Sequence, residues 1–339
     1  MESKTLFLLF LLSSMTFLTG FFNYYELMLQ STTIHNRQTP QYPGMFTKVM
    51  FNEITLMGQF NFRYPNSSIR TSIWCGEWSR VFLEDNIIIA IPEESKIKPN
   101  RINCEVMEYP NVKRPLPGFV SPYTNLATVT RKVSYRSKGI LYVHDDLMVT
   151  RNLLQRILNN GKQWIVANWW HRKIKIYLNG NVSKPPKEPF WSNCCRPILR
   201  KLISNPKLAT YLQKSKSSGL PFLQVGWGQS DMLYLSLHSA EITNAFLVLL
   251  DLFGKQELFL ECAIPTAVSL IQQRFKIQLH EAPQCTKWDA TRGTRGMLTK
   301  CLIQKKQTYE FFHPIKLSAF TDWSEYFRYL VLGHYNGQR

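Results

Sequence analysis

The chain has 339 residues, 45% of them hydrophobic, and a formal net charge of +18 with a pI near 9.6. Such length and apolar content exclude a largely disordered protein and suit one large α/β domain or two smaller ones. The positive balance points to an anionic partner, whether a nucleotide, a sulfated glycan, a phospholipid surface or nucleic acid; the basic residues are spread along the chain rather than gathered in one arm or reading motif, which disfavours nucleic acid.

Residues 5–22 (TLFLLFLLSSMTFLTGFF) carry no charge, long enough to span a bilayer as a helix. Lys4 precedes them, and Asn23-Tyr24-Tyr25 follows with rings suited to the membrane interface. A cleaved signal peptide, which would give a secreted protein, and an uncleaved signal anchor both fit. The anchor is favoured because the run exceeds the usual signal-peptide core and no small-x-small cleavage site follows. The expected layout is single-pass type II: a tail over 1–4, an anchor over 5–22, a stem over 23–44, a lumenal domain over 45–332 and a tail over 333–339. The sequons at Asn66 and Asn181 agree with a secretory-pathway lumen. Seven cysteines allow up to three disulfides and one free thiol; Cys285 and Cys301, which bracket a Gly- and Arg-rich loop, are the readiest pair.

In chain order, residues 46–62 have mixed apolar content, 71–78 and 86–91 read as strands, and 93–117 read as a loop with one edge strand at 104–109. The run Ile87-Ile88-Ile89-Ala90-Ile91 predicts a strand covered on both faces. A helix over 122–136 leads into Gly139-Ile140-Leu141-Tyr142-Val143-His144-Asp145-Asp146, a buried parallel strand ending in two carboxylates, with a helix over 152–158 behind it. In open α/β sheets ligands bind outside the carboxyl ends of strands. Adjacent carboxylates there repel unless a cation, a proton or solvent intervenes, so this turn suits a divalent metal carrying phosphate oxygens. Turn and N-cap duty is the plainer reading of the same aspartates.

Residues 163–168 predict the next strand, with Trp169 and Trp170 beyond its end as sugar platforms or packing residues. Helical periodicity runs over 197–214, and Trp227 stands between Gly226 and Gly228 as a third aromatic platform. Asp231 follows, placed to cap the next element or face a pocket. Glu261 is a lone carboxylate in an apolar sequence, costly to bury unless paired or used. A helix over 263–274 and an edge strand over 275–280 come next, and Phe312-His313-Pro314-Ile315-Lys316 then brings an imidazole and an ammonium together.

The stretches GILYVHDDLMV, WGQSDMLYL and FFHPIKLS resemble the metal-dependent nucleotide-sugar glycosyltransferases of the GT-A type, loosely their exostosin-like and related uncharacterised branches. The resemblance implies an α/β fold with a mixed, mostly parallel, Rossmann-like central sheet flanked by helices, behind a Golgi membrane anchor. It further implies that Mn2+ or Mg2+ binds the diphosphate of a nucleoside-diphosphate sugar, whose sugar passes to a glycan or glycoprotein acceptor. By position Asp146 is then the direct metal ligand, Asp145 assists it or contacts the ribose, and His313 and Lys316 complete the metal shell and grip the diphosphate. His144 occupies the place of the motif's first aspartate, where it would hydrogen-bond ribose or join the metal. An inverting transfer needs a carboxylate base, with Asp231 first and Glu261 second in line. The competing expectation is a non-catalytic lumenal or secreted nucleotide- or glycan-binding protein of the same fold.

Overall fold

The computed structural model describes residues 51–60, 67–93, 103–110, 121–167, 173–187, 189, 191–216, 219–286, 309–313, 323–324 and 327–332. The anchor and stem expected over 5–44, and also Asn66, Trp169, Trp170, Cys301 and Lys316, lie outside them. Among the described residues no helix is long and apolar enough to cross a membrane.

In chain order the strands are β1 (Ile54–Gln59), β2 (Ile87–Pro92), β3 (Glu105–Tyr109), β4 (Gly139–His144), β5 (Met148–Val149), β6 (Trp164–Ala167) and β7 (Ile174–Tyr177). They continue as β8 (Val182–Ser183), β9 (Gln213–Lys214), β10 (Pro221–Val225), β11 (Met232–Ser236), β12 (Leu279–Ala282), β13 (Gln284–Thr286) and β14 (Phe311–His313). The helices are α1 (Ser67–Trp78), α2 (Ser121–Val133), α3 (Arg151–Asn159), α4 (Arg196–Leu202), α5 (Ala240–Lys255) and α6 (Leu260–Phe275).

Seven strands form the central sheet, in the order β12-β6-β11-β4-β1-β2-β3. Every pairing is parallel except those of β11 with β4 and β6. Both β2 and β4 are buried at every residue, as apolar runs covered on both faces should be. The mixed α/β expectation therefore holds, with six strands pointing one way and β11 reversed. That reversal matters for the site: the start of β11 lies beside the end of β4, with Met232 opposite Val143.

Two smaller sheets are attached. In one, β14 pairs antiparallel with β5, Phe312 opposite Met148, and parallel with β13. This register sets His313 next to the acidic turn that precedes β5. The other has the order β8-β7-β10-β9. Disulfides Cys75–Cys104 and Cys195–Cys262 tie α1 to the segment before β3 and the residue before α4 to α6. Cys285 is disulfide-bonded too, and Cys194 is a free, buried thiol.

Three local expectations are corrected. Residues 71–78 are helical, not a strand: the buried positions Arg70, Thr71, Trp74, Cys75 and Trp78 recur at a helical period that the β-branched and aromatic content of this stretch masks. The helix over 197–214 stops at Leu202, and a separate 3-10 turn follows over Pro206–Tyr211, because Pro206 cannot continue the ladder. The helix expected from Ala263 starts earlier, at Leu260, and carries Pro265 inside it.

Candidate active site

The functional side chains meet at the rim formed by the end of β4, the start of β11 and the end of β14. At the end of β4, the backbone N–H of Asp145 donates to the Gln59 carbonyl at 3.0 Å. Gln59 is itself buried and its side-chain oxygen accepts from Asn125 at 3.1 Å, so the acidic turn sits on a satisfied polar floor. The two adjacent aspartates separate in environment. Asp145 is 2% exposed, while the Asp146 side chain is 24% exposed and faces His313. Burial, then the charge of Asp146, pushes the Asp145 carboxyl well above the usual carboxylate range, against its own backbone hydrogen bond, Arg70 and His313.

His144 spends both ring nitrogens on protein groups. Tyr142, two residues back on the same face of β4, places its hydroxyl 2.6 Å from Nε2, and Nδ1 lies 3.0 Å from Asp231 Oδ1. Burial holds the Tyr142 phenol well above its ordinary value, so it keeps its proton and donates it to Nε2; Nδ1–H then donates to Asp231. The His144 backbone N–H also donates to the Asp231 carbonyl at 2.9 Å. This imidazole orients Asp231, and its ring presents no lone pair to a metal.

Asp231 stands just before β11. Burial would raise its carboxyl, but His313, His144 and hydrogen bonds from His144 and Gln229 outweigh that and hold it well below the usual range. His313, buried at the end of β14, has Nε2 at 3.5 Å from Asp146 Oδ1 and 3.6 Å from Asp231 Oδ2. Its Nδ1 meets the side-chain amide of Gln229. The structure thus brings together Asp145, Asp146, Asp231, His144 and His313 from three separated stretches.

Glu261 is placed differently. It lies in the first turn of α6. Its main chain reaches the site: Pro265 has no N–H to offer the Glu261 carbonyl, which accepts from Gly228 at 3.1 Å instead. Trp227 is corrected from a sugar platform to a core residue: it is 7% exposed and packs against Trp191 and Phe259. The expected diphosphate cation, Lys316, lies outside the described residues.

A divalent ion fits this rim after a small adjustment. Two ligands of one octahedral ion at about 2.0–2.1 Å lie roughly 3 Å apart, so the 3.5 Å gap between His313 Nε2 and Asp146 Oδ1 needs tightening by about half an ångström. Among the described residues no three His, Cys, Asp or Glu side chains are already drawn in closely enough to hold a metal. Gln229 can serve both forms: its NH2 donates to Nδ1 when Nε2 carries the proton, and its carbonyl oxygen accepts Nδ1–H when Nε2 turns its lone pair to a cation.

Residue-by-residue reading missed Gln229, Tyr142 and the carboxylate Glu310. Glu310 binds Arg156 Nε at 2.7 Å and His280 Nε2 at 2.7 Å, which fastens the strand carrying His313 to α3 and β12. Tyr142 was recoverable, since strand alternation puts it on the face of His144. The triad of Arg156, His280 and Glu310 has no local signature, as its members are far apart in sequence.

No family model matches the chain, and no curated protein matches it. Among solved structures it is similar to mannose-1-phosphate geranyltransferase from Thermus thermophilus, at 10% identity and a TM-score of 0.32, covering 67% of this chain and 68% of that one. Mouse xyloside xylosyltransferase 1 in its apo form gives 12% identity and a TM-score of 0.34, covering 77% and 96%. Glucosyl-3-phosphoglycerate synthase from Mycobacterium tuberculosis, with Mn2+, UDP-glucose and phosphoglyceric acid, gives 14% and 0.29, covering 75% and 89%. Overlaps this loose carry no argument of their own, and the functional reading rests on the rim's geometry.

Proposed function

We propose that the chain is a glycosyltransferase of the GT-A kind. It moves a sugar from a nucleoside-diphosphate sugar to a glycan or glycoprotein acceptor with the help of Mn2+ or Mg2+. The observation that carries this reading is His313 Nε2 standing between Asp146 and Asp231 at the rim where the carboxyl ends of the parallel strands open.

When bound there, a divalent ion neutralises the charge that grows on the departing nucleoside diphosphate. Asp146 and His313 hold that ion. Asp145, buried beneath them with its backbone N–H on the Gln59 carbonyl, holds the turn in place. Asp231, ionised and aimed by His144 and Gln229, accepts the proton of the acceptor hydroxyl in an inverting transfer. Lys316 is assigned to the diphosphate and Glu261 to the support of the Gly226–Gln229 loop.

The compartment belongs to the same reading: a type II protein of the Golgi membrane, anchored over 5–22, with the catalytic domain in the lumen. Two disulfides within the described residues support an oxidising environment.

The test is turnover of a panel of nucleotide sugars by the full-length chain with and without Mn2+. Asp146→Asn and His313→Ala should each lower metal-dependent donor hydrolysis by at least about 100-fold, an electrostatic loss of roughly 2.7 kcal/mol. Asp231→Asn should spare Mn2+ affinity and abolish transfer to acceptor. Full metal-dependent activity in Asp146→Asn would refute the assignment.

A further inference from the structure

The even spread of basic residues expected from the sequence does not hold in detail. Between Arg172 and Lys216 the chain has eleven lysines and arginines and one acidic residue, Glu188. The described part of this segment builds most of the β8-β7-β10-β9 sheet and α4.

Register assigns the faces of that sheet. Lys175, Tyr177, Ser183, Phe222 and Gln224 share one face, and Ile174, Ile176, Leu223 and Val225 share the other. The aliphatic face is the packed one: Ile174, Ile176, Leu223 and Val225 are buried, and β10 contacts α6. On the opposite face the Lys175 ammonium lies 4.7 Å from the Phe222 ring centroid, and Tyr177 leans on the same ring at 5.8 Å. Gln224 and Tyr177 are half-exposed beside them. Phe222 is itself buried beneath them, so this face offers a ligand the Tyr177 ring, the Gln224 amide and the Lys175 cation, a set that suits a sugar ring carrying an acidic group.

Exposed lysines flank β7 and β8: Lys173, Lys184 and Lys187. Among the described residues none of them lies within ion-pair distance of a carboxylate. Three cations elsewhere on the surface are paired, Arg131 with Asp251 at 2.6 Å, Lys138 with Glu53 at 2.6 Å, and Lys132 with Glu105. A concentration of like charge repels itself and is relieved by an anionic partner.

We propose that this face binds an acidic glycan, a polymer bearing sulfate or carboxylate groups, and that such a glycan is the acceptor. The second half rests on the transferase reading; the first does not. Continuity of the chain supports the link. β10 leaves this face at Val225 and runs through Gly226 to Gln229 and Asp231, which both face His313. A polymer laid on the sheet therefore leads toward the proposed base. A lipid surface would meet the same lysines, but it offers no use for a half-exposed tyrosine and glutamine set along strands.

Calorimetry of the full-length chain with a heparin-derived octasaccharide and its desulfated form tests this. The sulfated form should bind, weaken steeply with added salt, and lose at least about tenfold in affinity in Lys173→Glu/Lys175→Glu and in Lys184→Glu/Lys187→Glu. Lys162→Glu/Lys255→Glu, an equal change of charge elsewhere, should stay within about twofold, and donor hydrolysis should be unchanged in all three. The proposal is overturned by equal binding of the desulfated form, by an equal loss in the control variant, or by tighter binding to phosphatidylserine vesicles. A chain that binds the sulfated form yet turns over no nucleotide sugar refutes the transferase reading and leaves the glycan-binding face standing.

Discussion

Asp231 is ionised because two imidazoles and an amide, rather than bulk water, answer its charge. The order of proton donation, Tyr142 to His144 to Asp231, depends on the phenol keeping its proton. Tyr142→Phe should leave Nε2 of His144 without its donor in a buried place, costing about 1–3 kcal/mol of stability in urea unfolding, and should lower transfer more than donor binding. Asp145 makes a prediction of opposite sign. Its folded-state carboxyl is raised above the unfolded value of about 3.9, so the stability it lends is complete below that value and is lost as pH rises through the folded one. Asp145→Asn should therefore be more stable than the parent at pH 8, and the two should converge near pH 4. Thermal unfolding in chelator across that range checks it. The residue pair Asp145-Asp146 was legible in the sequence as an acidic turn, but the division between a buried carboxyl and a partly exposed one facing His313 was not, since it follows from the floor beneath them.

The elements that aim these side chains have exacting contacts. A Cβ on Gly226 would come within 2.7 Å of the Pro265 backbone, and Thr266 and Gly226 exchange hydrogen bonds at 3.3 Å. Gly226→Ala should push the loop off α6, costing about 1–3 kcal/mol by overpacking and lowering transfer by displacing Gln229 and Asp231. On β14 the clamp is electrostatic: Glu310→Ala strips Arg156 and His280 of their shared partner, and roughly 3 kcal/mol of stability should go with it. Weakened Mn2+ binding should accompany that loss, because the clamp fixes the strand on which His313 sits. Strands β2 and β4 were readable because a run buried on both faces is apolar throughout. Helix α1 was not, since its β-branched and aromatic residues imitate a strand while its buried positions follow a helical period. The loop's dependence on Pro265 was hidden by a sequence separation of about forty residues, a contact no local pattern records.

At the scale of the whole molecule, one reversed strand builds the site. Because β11 runs against its neighbours, the residue that opens it stands beside the residue that closes β4, and two distant stretches share one rim. Composition foretold the α/β class and a well-filled core; the run of positive charge over 172–216 is in the sequence, but that Lys175 shares a face with Tyr177 and Gln224 is a matter of the register of β7 and β10. Two crosslinks then hold the outer helices, and Cys194 sits immediately before one of them, reduced and sealed in the interior, with burial pushing its thiol above the ordinary value. That neighbour is harmless only while it stays dry and protonated. Once the fold opens in mildly alkaline solution, its sulfur becomes a nucleophile one residue from a bond it can attack. Heating at pH 9 should therefore yield scrambled isomers that never regain the native form, whereas Cys194→Ser should cool back intact, a difference that mass mapping of the crosslinks would display.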